Sequence, residues 1–282
     1  MIPAAFDYRR ATSLDDALTA LAGGDAKVLA GGMSLLPLMK LRLASPGRLV
    51  DIGRLTELKG ARSTPDGGFE LGALTTYAEV LEATQLGFAA DCIRNIGDVQ
   101  VRNRGTVGGS IAHADPASDL PVLALALDYE VVLRSQRGER VVPIDGFLQG
   151  AFTSDIAADE ILTSLRRGPL PAGADGSYQK LEHPASGYAI VGVCAVVALT
   201  GGSVSHARVA LTGVGDVPYR AKAVEQALVG SDGSPAAVAA AAEHAADRQT
   251  VNSDIHADRE YRTRMAVVYT RRAIDAALGR PA

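Results

Sequence analysis

The sequence has 282 residues, of which 47% are hydrophobic and 21% are charged, and its formal net charge is −4. This balance is typical of a globular chain large enough for two or more domains, and it argues against a disordered protein. It also gives no electrostatic reason to bind nucleic acid, because phosphate binding depends on clustered Lys and Arg.

The start of the chain and its cysteines predict a cytoplasmic protein. Residues 1–10 show no basic segment followed by an apolar one, so no signal peptide is expected. No apolar run approaches the roughly 18 residues of a membrane-spanning helix. The two cysteines, Cys92 and Cys194, lie in apolar surroundings and are predicted to be core residues. Since a [2Fe–2S] cluster normally needs four cysteine ligands, redox chemistry in this chain would require an organic cofactor.

The first 56 residues predict a small α/β unit. Ser13, with Asp16 three residues later, marks the capped start of a helix. A short strand over 27–30 runs into a glycine pair, Met33 and Ser34, after which an apolar helix begins, and a second strand is predicted over 48–52. A strand, a glycine pair, a hydroxyl residue and a helix in this order present free N–H groups and a positive helix end to an anion.

A second α/β unit is predicted between residues 57 and 170. A glycine pair, Gly108-Gly109, lies here between Thr106 and Ser110, and the carboxylate of Asp119 follows closely. Glycines let the main chain approach a ligand, and successive N–H groups in such a turn form an anion-binding nest. The predicted elements are strands over 69–72, 129–133 and 140–142 and helices over 76–82, 88–95 and 120–127.

A segment rich in Pro and Gly, 168–176, is the best linker candidate and precedes a third domain, 177–282. The predicted elements beyond it are strands over 177–181, 189–199 and 204–212 and helices over 235–247 and 258–278. The predicted fold class is therefore α+β.

The two glycine loops, 30–34 and 106–110, form the candidate binding site. Both offer neutral donors, namely backbone N–H groups and the hydroxyls of Ser34, Thr106 and Ser110. Neither contains the lysine of a P-loop or the full GxGxxG of a Rossmann site. From these residues alone two interpretations remain open: a dinucleotide pyrophosphate shared between the loops, or two structural turns.

Four stretches resemble the FAD-binding (medium) subunit of molybdenum hydroxylases, the family of carbon monoxide dehydrogenase and xanthine dehydrogenase. They are AGGMSLLPLMK at 30–40, RNRGTVGGS at 102–110, HADPASDLP at 113–121, and YQK with HPASGY within 178–188. The resemblance covers essentially the whole chain. It implies an FAD-binding domain of the vanillyl-alcohol-oxidase (PCMH) type with two subdomains, 1–56 and 57–170, and a C-terminal α+β domain, 177–282, with a three-stranded sheet and helices.

The resemblance also implies which residues bind FAD. In that family the glycine loops hold the pyrophosphate, Asp119 accepts hydrogen bonds from cofactor hydroxyls, and Leu165 and Lys180 contact the cofactor on the flavin side. A cation at Lys180 would stabilise the negative charge that accumulates on reduction. Tyr188 is a further candidate beside the isoalloxazine, the alternative being a core tyrosine. The implied cofactor-binding residues are Leu29, Ala30, Gly31, Gly32, Met33, Ser34, Leu35, Ile96, Thr106, Val107, Gly108, Gly109, Ser110, Asp119, Leu165 and Lys180.

The implied function is electron transfer by an oxidoreductase subunit. In the family, a large subunit oxidises the substrate at a molybdenum–pterin centre, a small subunit carries two [2Fe–2S] clusters, and FAD passes electrons to an external acceptor. A dimer of heterotrimers is the expected assembly. Met33 stands where the carbon monoxide enzymes carry His, so a carbon monoxide substrate is not implied. The alternatives are a self-sufficient FAD-dependent oxidase of the vanillyl-alcohol type and a non-enzymatic assembly protein whose glycine loops are turns.

Four nearby polar residues are first interpreted structurally. His113 is expected to bond to a backbone group or carboxylate, although a proton-transfer role is conceivable, and Asp115 is expected to start a turn before Pro116. Arg102 and Arg104 are expected to be solvated, the alternative being contact with the adenine half of FAD or with a partner subunit.

Overall fold

In the computed structural model, which describes residues 1–83 and 87–281, the chain begins with a small parallel sheet. Its strands are β1 (Asp7–Arg10), β2 (Ala26–Leu29) and β3 (Arg48–Asp51), in the order β1-β3-β2, and its helices are α1 (Leu14–Leu21) and α2 (Leu35–Lys40). Ser13 caps α1 by accepting a hydrogen bond from the Asp16 N–H at 3.1 Å, which confirms the predicted start. The first glycine loop connects the end of β2 to α2.

A five-stranded antiparallel sheet forms the second unit. Its order is β4-β5-β10-β6-β7, and β8 and β9 make a separate hairpin. The strands are β4 (Ala61–Ser63), β5 (Phe69–Gly72), β6 (Glu130–Ser135), β7 (Gly138–Pro143), β8 (Leu148–Gly150), β9 (Thr153–Ser154) and β10 (Ile161–Arg167). The helices are α3 (Tyr77–Glu82), α4 (Ala89–Arg94), α5 (Val99–Arg102), α6 (Val107–His113), α7 (Asp119–Ala126) and α8 (Ile144–Phe147).

The C-terminal unit is an antiparallel sheet in the order β11-β12-β13-β14. It contains β11 (Ala174–Glu182), β12 (Ala189–Thr200), β13 (Ser203–Thr212), β14 (Tyr219–Arg220), α9 (Lys222–Leu228), α10 (Pro235–Ala242) and α11 (Arg259–Ala277). The three predicted strands are present, and β14 adds a short fourth. No helix within residues 1–83 and 87–281 is long and apolar enough to cross a membrane.

Strand β12 belongs to two hydrophobic cores. Val191, Val193 and Ala195 pack in the cluster that includes α11, whereas Cys194 and Val196 pack in the cluster that includes α7. Side chains of a strand alternate between the two faces of a sheet, so β12 is buried on both faces. The C-terminal unit therefore shares a core with the second unit, and both predicted core cysteines are buried and free.

The central strand of the second sheet, β10, has no counterpart among the predicted elements. Its alternation of apolar residues is broken by an irregularity between Leu162 and Ser164, and it ends in two arginines. The edge strand β1 is also missed, because all four of its residues are exposed and carry no apolar pattern. The predicted linker 168–176 overlaps β11, which begins at Ala174.

Arg262, near the start of α11, fastens the surrounding loops. Its guanidinium is buried and donates to the carbonyl oxygens of Ile190 and Gly213, both at 2.7 Å, and to the carboxylate of Asp254 at 2.5 Å. Hydrogen bonds made by a charged donor contribute more than neutral ones. A single side chain thus links α11 to β12, to the end of β13 and to the loop before α11.

We expect Arg262→Met to lower the free energy of unfolding by about 3 kcal/mol, because two buried carbonyl oxygens lose their donor. Urea unfolding measures this change. Arg264→Met, two residues along the same helix, is the control: Arg264 is 73% exposed and its ion pair is with the equally exposed Glu260, so a change within about 0.5 kcal/mol is expected. Equal losses in the two variants would contradict the bracing role.

Candidate functional site

The first glycine loop, 30–34, contacts the backbone just before the second glycine loop, 106–110. A Cβ added at Gly31 would lie 2.1 Å from the carbonyl oxygen of Arg104 and 3.3 Å from the Cα of Gly105. Only glycine permits this approach. Residues 104–105, just before the second loop, therefore form the wall against which the first loop rests, and this contact brings the two loops close together.

The first loop carries open hydrogen-bond donors. Gly32 has a φ of 76°, a left-handed conformation that turns the chain from β2 toward α2. Within the described residues, no acceptor is found for the backbone N–H groups of Gly31, Gly32, Met33 and Ser34. Unpaired N–H groups at the start of a helix favour an anionic ligand, so this loop retains the predicted anion-binding character.

The second loop differs from the prediction, because its backbone donors are already used. The loop is the first turn of α6, which Thr106 caps, and it lies against residues 73–75. Gly109 is exposed and without a side chain, so a ligand can approach its backbone, and the Ser110 hydroxyl lies 3.0 Å from that of Ser118. The N–H groups donate as follows: Val107 to the Thr75 carbonyl (3.0 Å), Gly108 to the Ala73 carbonyl (2.8 Å), Gly109 to Thr106 Oγ1 (3.2 Å) and Ser110 to the Thr106 carbonyl (3.1 Å).

Asp119, the first residue of α7, lies in a buried polar cluster. One carboxylate oxygen accepts from the Tyr178 hydroxyl and the other from Lys180 Nζ at 3.0 Å, and Lys180 also donates to the Asn95 carbonyl at 2.9 Å. The side chains of Asp119 and Lys180 are only 6% and 3% exposed. Burial raises the pKa of Asp119 above its ordinary value, while Lys180 and the Tyr178 hydrogen bond oppose that rise.

This cluster brings together residues of two units. Asp119 belongs to the second unit, whereas Tyr178 and Lys180 lie on β11 of the C-terminal sheet. Tyr178 was not among the predicted site residues. Its only sequence signal is its place two residues before Lys180, which puts both side chains on the same face of a strand.

The remaining predicted residues occupy different environments. Leu165 is 1% exposed and lies in the apolar core on β10, so its side chain belongs to the packing. Ile96 is half-buried at the edge of the same core. Tyr188 is 52% exposed, and burial of its hydroxyl together with the charges of Asp115 and Asp119 raises its pKa. Leu29 and Leu35 are half-buried on either side of the first loop.

The structural interpretations of Asp115 and His113 have different outcomes. The turn at Asp115 is confirmed, since its carboxylate accepts from the Ala117 N–H at 2.8 Å. His113 instead contacts the ring of Phe152, with centroids 5.1 Å apart, and burial lowers the pKa of His113.

Arg102 is not simply solvated, so that expectation is wrong. Its guanidinium donates to the carbonyl oxygens of Ile96 and Gly97 at 3.1 and 2.7 Å and braces the turn before α5. Arg104 is exposed, as expected.

A cleft of about 370 Å³ opens next to the buried cluster. Its walls come from residues 115–117, from Phe152 in the β8–β9 hairpin, from the turn 183–190 and from the loop 252–256. Within residues 1–83 and 87–281, no group of three or more His, Cys, Asp or Glu could hold a metal ion. The site therefore combines neutral donors for an anion at one end with a compensated charge pair at the other, which suits an organic ligand that carries a pyrophosphate.

Two family models together match nearly the entire chain. The model described as the FAD binding domain in molybdopterin dehydrogenase matches residues 4–167, and the CO dehydrogenase flavoprotein C-terminal domain matches residues 176–277. The first loop fits such a cofactor, because the N–H groups of residues 31–34 have no acceptor among the described residues and could donate to its phosphates.

Individual relatives agree with these models. The carbon monoxide dehydrogenase medium chain of Hydrogenophaga pseudoflava is 37% identical over 286 residues, which cover 99% of each chain. The glyceraldehyde dehydrogenase medium chain of Sulfolobus acidocaldarius is 40% identical over 82% of this chain and 83% of its own. A solved structure of the Hydrogenophaga pseudoflava carbon monoxide dehydrogenase, in a form lacking the Mo-pyranopterin moiety, superposes with a TM-score of 0.95 at 39% identity and covers 100% of both chains.

We expect Tyr178→Phe to lower the free energy of unfolding by about 1–3 kcal/mol, because a buried carboxylate oxygen of Asp119 loses its donor. Tyr8→Phe is the matched control: the Tyr8 hydroxyl also donates to a carboxylate, that of Asp51, but Tyr8 is 50% exposed and water can replace it. Thermal unfolding of both variants measures the difference. A loss at Tyr178 no larger than that at Tyr8 would contradict a buried polar cluster.

Proposed function

This chain belongs to the FAD-binding subunits of the molybdenum hydroxylase family, and on that premise we propose that it binds FAD across its two glycine loops and the Asp119–Lys180 pair and delivers electrons to an external acceptor. The observation that carries the proposal is the set of unpaired N–H groups of the first loop, held against the second loop by the backbone contact at Gly31. Bound FAD supplies the two-electron chemistry that no side chain of this protein provides.

The pyrophosphate is proposed to lie on the shared surface of the loops. The N–H groups of residues 31–34 would donate to its oxygens, and Gly109 and the Ser110 hydroxyl would complete the cradle. Because the N–H groups of residues 107–110 are all used within the chain, Gly109 would contribute only close backbone approach, and we assign the remaining residues of the loop a supporting role: they fix the shape of the cradle. Leu29 and Leu35 would flank it.

The flavin is proposed to lie near Ile96, Tyr188 and the Asp119–Lys180 pair. Since the side chains of the pair are almost completely buried, Lys180 would act on the flavin mainly through its electric field. Tyr188, which is half-exposed, would contact the ring directly, while Leu165 would support this end from the core.

The electrons are proposed to come from [2Fe–2S] clusters on a small partner subunit, supplied in turn by a large subunit with a molybdenum–pterin centre. Supporting this, the chain has only two cysteines, and both are buried. A dimer of such heterotrimers in the cytoplasm is the proposed assembly, and a subdivision at 1–56, 57–170 and 177–282 is its proposed domain organisation. The two relatives are named for different substrates, carbon monoxide and glyceraldehyde, and we assign neither to this chain.

Purification of the full chain tests the central point. We expect a yellow protein with one FAD per chain that does not reduce its flavin with small organic donors unless its partner subunits are present. Reduction by a small aldehyde or phenol in the isolated chain would favour the self-sufficient oxidase instead, and colourless protein after refolding with FAD would refute FAD binding.

Gly32→Val is expected to abolish FAD binding, because valine cannot hold a φ of 76° without strain and its Cβ would press against the side chains of Leu36 and Leu29 at 3.0 to 3.3 Å, which distorts the loop. Gly24→Val is a close control: Gly24 has a φ of 73° but no neighbour within 4 Å of its Cβ position, so it introduces similar strain away from the loops. Flavin absorbance per chain is the measurement. Equal flavin content in the two variants would contradict the placement of the pyrophosphate.

Lys180→Met is expected to lower the flavin reduction potential by about 30 mV or more, a shift of about 1.4 kcal/mol for a two-electron couple. The reason is that the negative charge of Asp119 then faces the flavin without its cation. The double variant Asp119→Asn/Lys180→Met restores neutrality and should return toward the wild-type potential. A spectroelectrochemical titration decides, and an unchanged potential in Lys180→Met would refute the electrostatic role.

A further inference from the structure

We propose that Asp128 is a positioning residue for the proposed flavin site: it ties the far end of α7 to the C-terminal sheet, and the helix carries this restraint to Asp119. Asp119 is the first residue of α7, and Asp128 lies just beyond its last residue, Ala126. The consequence for the flavin rests on the proposed function, whereas the restraint itself is a property of the chain alone.

Local preferences at the end of α7 disfavour an aspartate. Asp128 has a φ of 50°, and its N–H and that of Tyr129 donate back to carbonyl oxygens in the last turn of the helix at 3.3 and 3.0 Å. This is the left-handed helix end at which glycine is the preferred residue. A carboxylate there also faces the negative end of the helix dipole. A residue disfavoured in both respects is expected where a contact elsewhere compensates.

Two arginines of the C-terminal unit make that contact. Arg208 Nε donates to one carboxylate oxygen of Asp128 at 2.7 Å, and Arg220 Nη1 donates to the other at 3.2 Å. Arg220 is itself fixed, because its Nε and Nη2 donate to the buried carboxylate of Glu225 at 3.0 and 2.5 Å. The side chains of Arg208 and Arg220 are only 28% and 15% exposed. Asp128 therefore closes a charged hydrogen-bonded contact between the second unit and the C-terminal unit.

The two attachments of α7 lie at opposite ends of one row of paired residues. The row crosses β11, β12, β13 and β14 in turn and consists of Tyr178, Cys194, Ala210 and Arg220. Directly paired residues on neighbouring strands point to the same face. That face carries α7, because Cys194 and Ala210 pack in the same core as the helix. Tyr178 begins the row and binds Asp119. Arg220 ends the row and binds Asp128.

The length of the helix matches the width of the sheet. The nine residues from Asp119 to Asp128 rise about 14 Å in a helix, and the three strand spacings from β11 to β14 also amount to about 14 Å. Helix α7 therefore crosses the strands and is fastened at both edges of the sheet. A single attachment would let the sheet pivot about that point, whereas two attachments fix its orientation.

Two further polar links between the units act elsewhere. The carbonyl of Pro116 accepts hydrogen bonds from the end of β13 at 2.8 Å, close to the Asp119 end of α7. Lys222 pairs with Asp145 of α8 at 2.7 Å, but its side chain is 61% exposed, so the pair contributes little. Without the Asp128 contact, these links would leave the sheet fastened mainly at the Asp119 end of the helix.

A freer sheet would change the charge pair that faces the proposed flavin. Asp119 moves with α7 of the FAD-binding domain, whereas Lys180 moves with β11. Pivoting of the sheet would therefore lengthen the mean distance between the two charges, which is 3.0 Å in the structure, and leave the carboxylate less compensated. The flavin would then be reduced less readily, which is the direction expected for Lys180→Met. Loss of the Asp128 charge by itself acts in the opposite direction, because a negative charge disfavours reduction of a nearby group.

Asp128→Gly removes the contact and keeps the helix end, because glycine accepts the left-handed conformation. The first measurement is a double-mutant cycle with Tyr178→Phe, followed by urea unfolding of the full chain. Residues about 14 Å apart normally contribute additively to stability. We expect instead that Tyr178→Phe raises the unfolding constant about threefold less in Asp128→Gly than in the wild type, because the bond from Tyr178 to Asp119 is already weakened.

Two control variants isolate the charged contact. Asp25→Gly relieves a similar backbone conformation at an aspartate, with a φ of 45°, but in the first unit. Asp145→Asn removes the exposed ion pair between the units. Tyr178→Phe should raise the unfolding constant as much in either control as in the wild type.

The reduction potential of the flavin is the second measurement. In a spectroelectrochemical titration of the flavin-loaded chain, Asp128→Gly should lower the potential, as Lys180→Met does, but by less. The lowering should disappear in the background Asp119→Asn/Lys180→Met, which has no charge pair left to displace. Neither Asp25→Gly nor Asp145→Asn should lower the potential.

The outcomes separate this role from the proposed function. An additive cycle overturns the positioning role, and so does a potential that is unchanged or raised in Asp128→Gly, since a rise would reflect only the lost charge. If the wild-type chain binds no FAD, the proposed function is refuted, and the cycle alone decides whether Asp128 positions the cluster around Asp119.

Discussion

The buried pair Asp119–Lys180 is the constraint on which the candidate site depends. It joins the FAD-binding domain to the C-terminal domain, and each charge would be unfavourable in the interior without the other. Burying an ion costs several kcal/mol, and only good geometry with additional hydrogen bonds offsets that cost. Tyr178 and the Asn95 carbonyl supply those bonds here. A buried ion pair contributes little more to stability than a pair of well-packed apolar side chains would. The presence of Asp119 and Lys180 beside a cleft is therefore better explained by a role in the site than by a contribution to folding.

A second constraint, the backbone contact at Gly31, positions the glycine loops at the proposed pyrophosphate end of the site. It fixes the first loop on the carbonyl of Arg104, and the second loop is fixed in turn by hydrogen bonds from Val107 and Gly108 to residues 75 and 73. The second loop therefore has its N–H groups satisfied within the chain, whereas those of the first loop have no acceptor among the described residues. The proposed cofactor would span three units of the chain, so binding it would stabilise their mutual arrangement.

The elements with a clear local pattern could be predicted from the sequence. Ser13 caps its helix, the continuous apolar run of β12 reflects burial on two faces, and the glycine loops point to the binding site. The sequence could not reveal β10, where an irregularity interrupts the alternation, nor the hydrogen bonds that occupy the second loop. Tyr178 and Asp119 are 59 positions apart, and no local pattern indicates that a hydroxyl and a carboxylate at that separation will meet. Arg102 was missed for the same reason, because its partners are carbonyl oxygens that composition cannot show.

Among the described residues, those proposed to bind the cofactor include no cation without a carboxylate partner, and this explains their weak signature in the composition. Neither glycine loop contains Lys or Arg, so an anion there would be held by backbone dipoles. Lys180 is neutralised by Asp119, and Arg262 is occupied by two carbonyl oxygens and Asp254. A flavin near the Asp119–Lys180 pair would experience an electric field that depends on the positions of these two charges. Because Lys180 lies on β11 and Asp119 on α7, a small movement of one element against the other would change that field. The reduction potential would then depend on how the C-terminal sheet is docked, and a partner subunit that contacts this sheet could alter it without touching the cofactor.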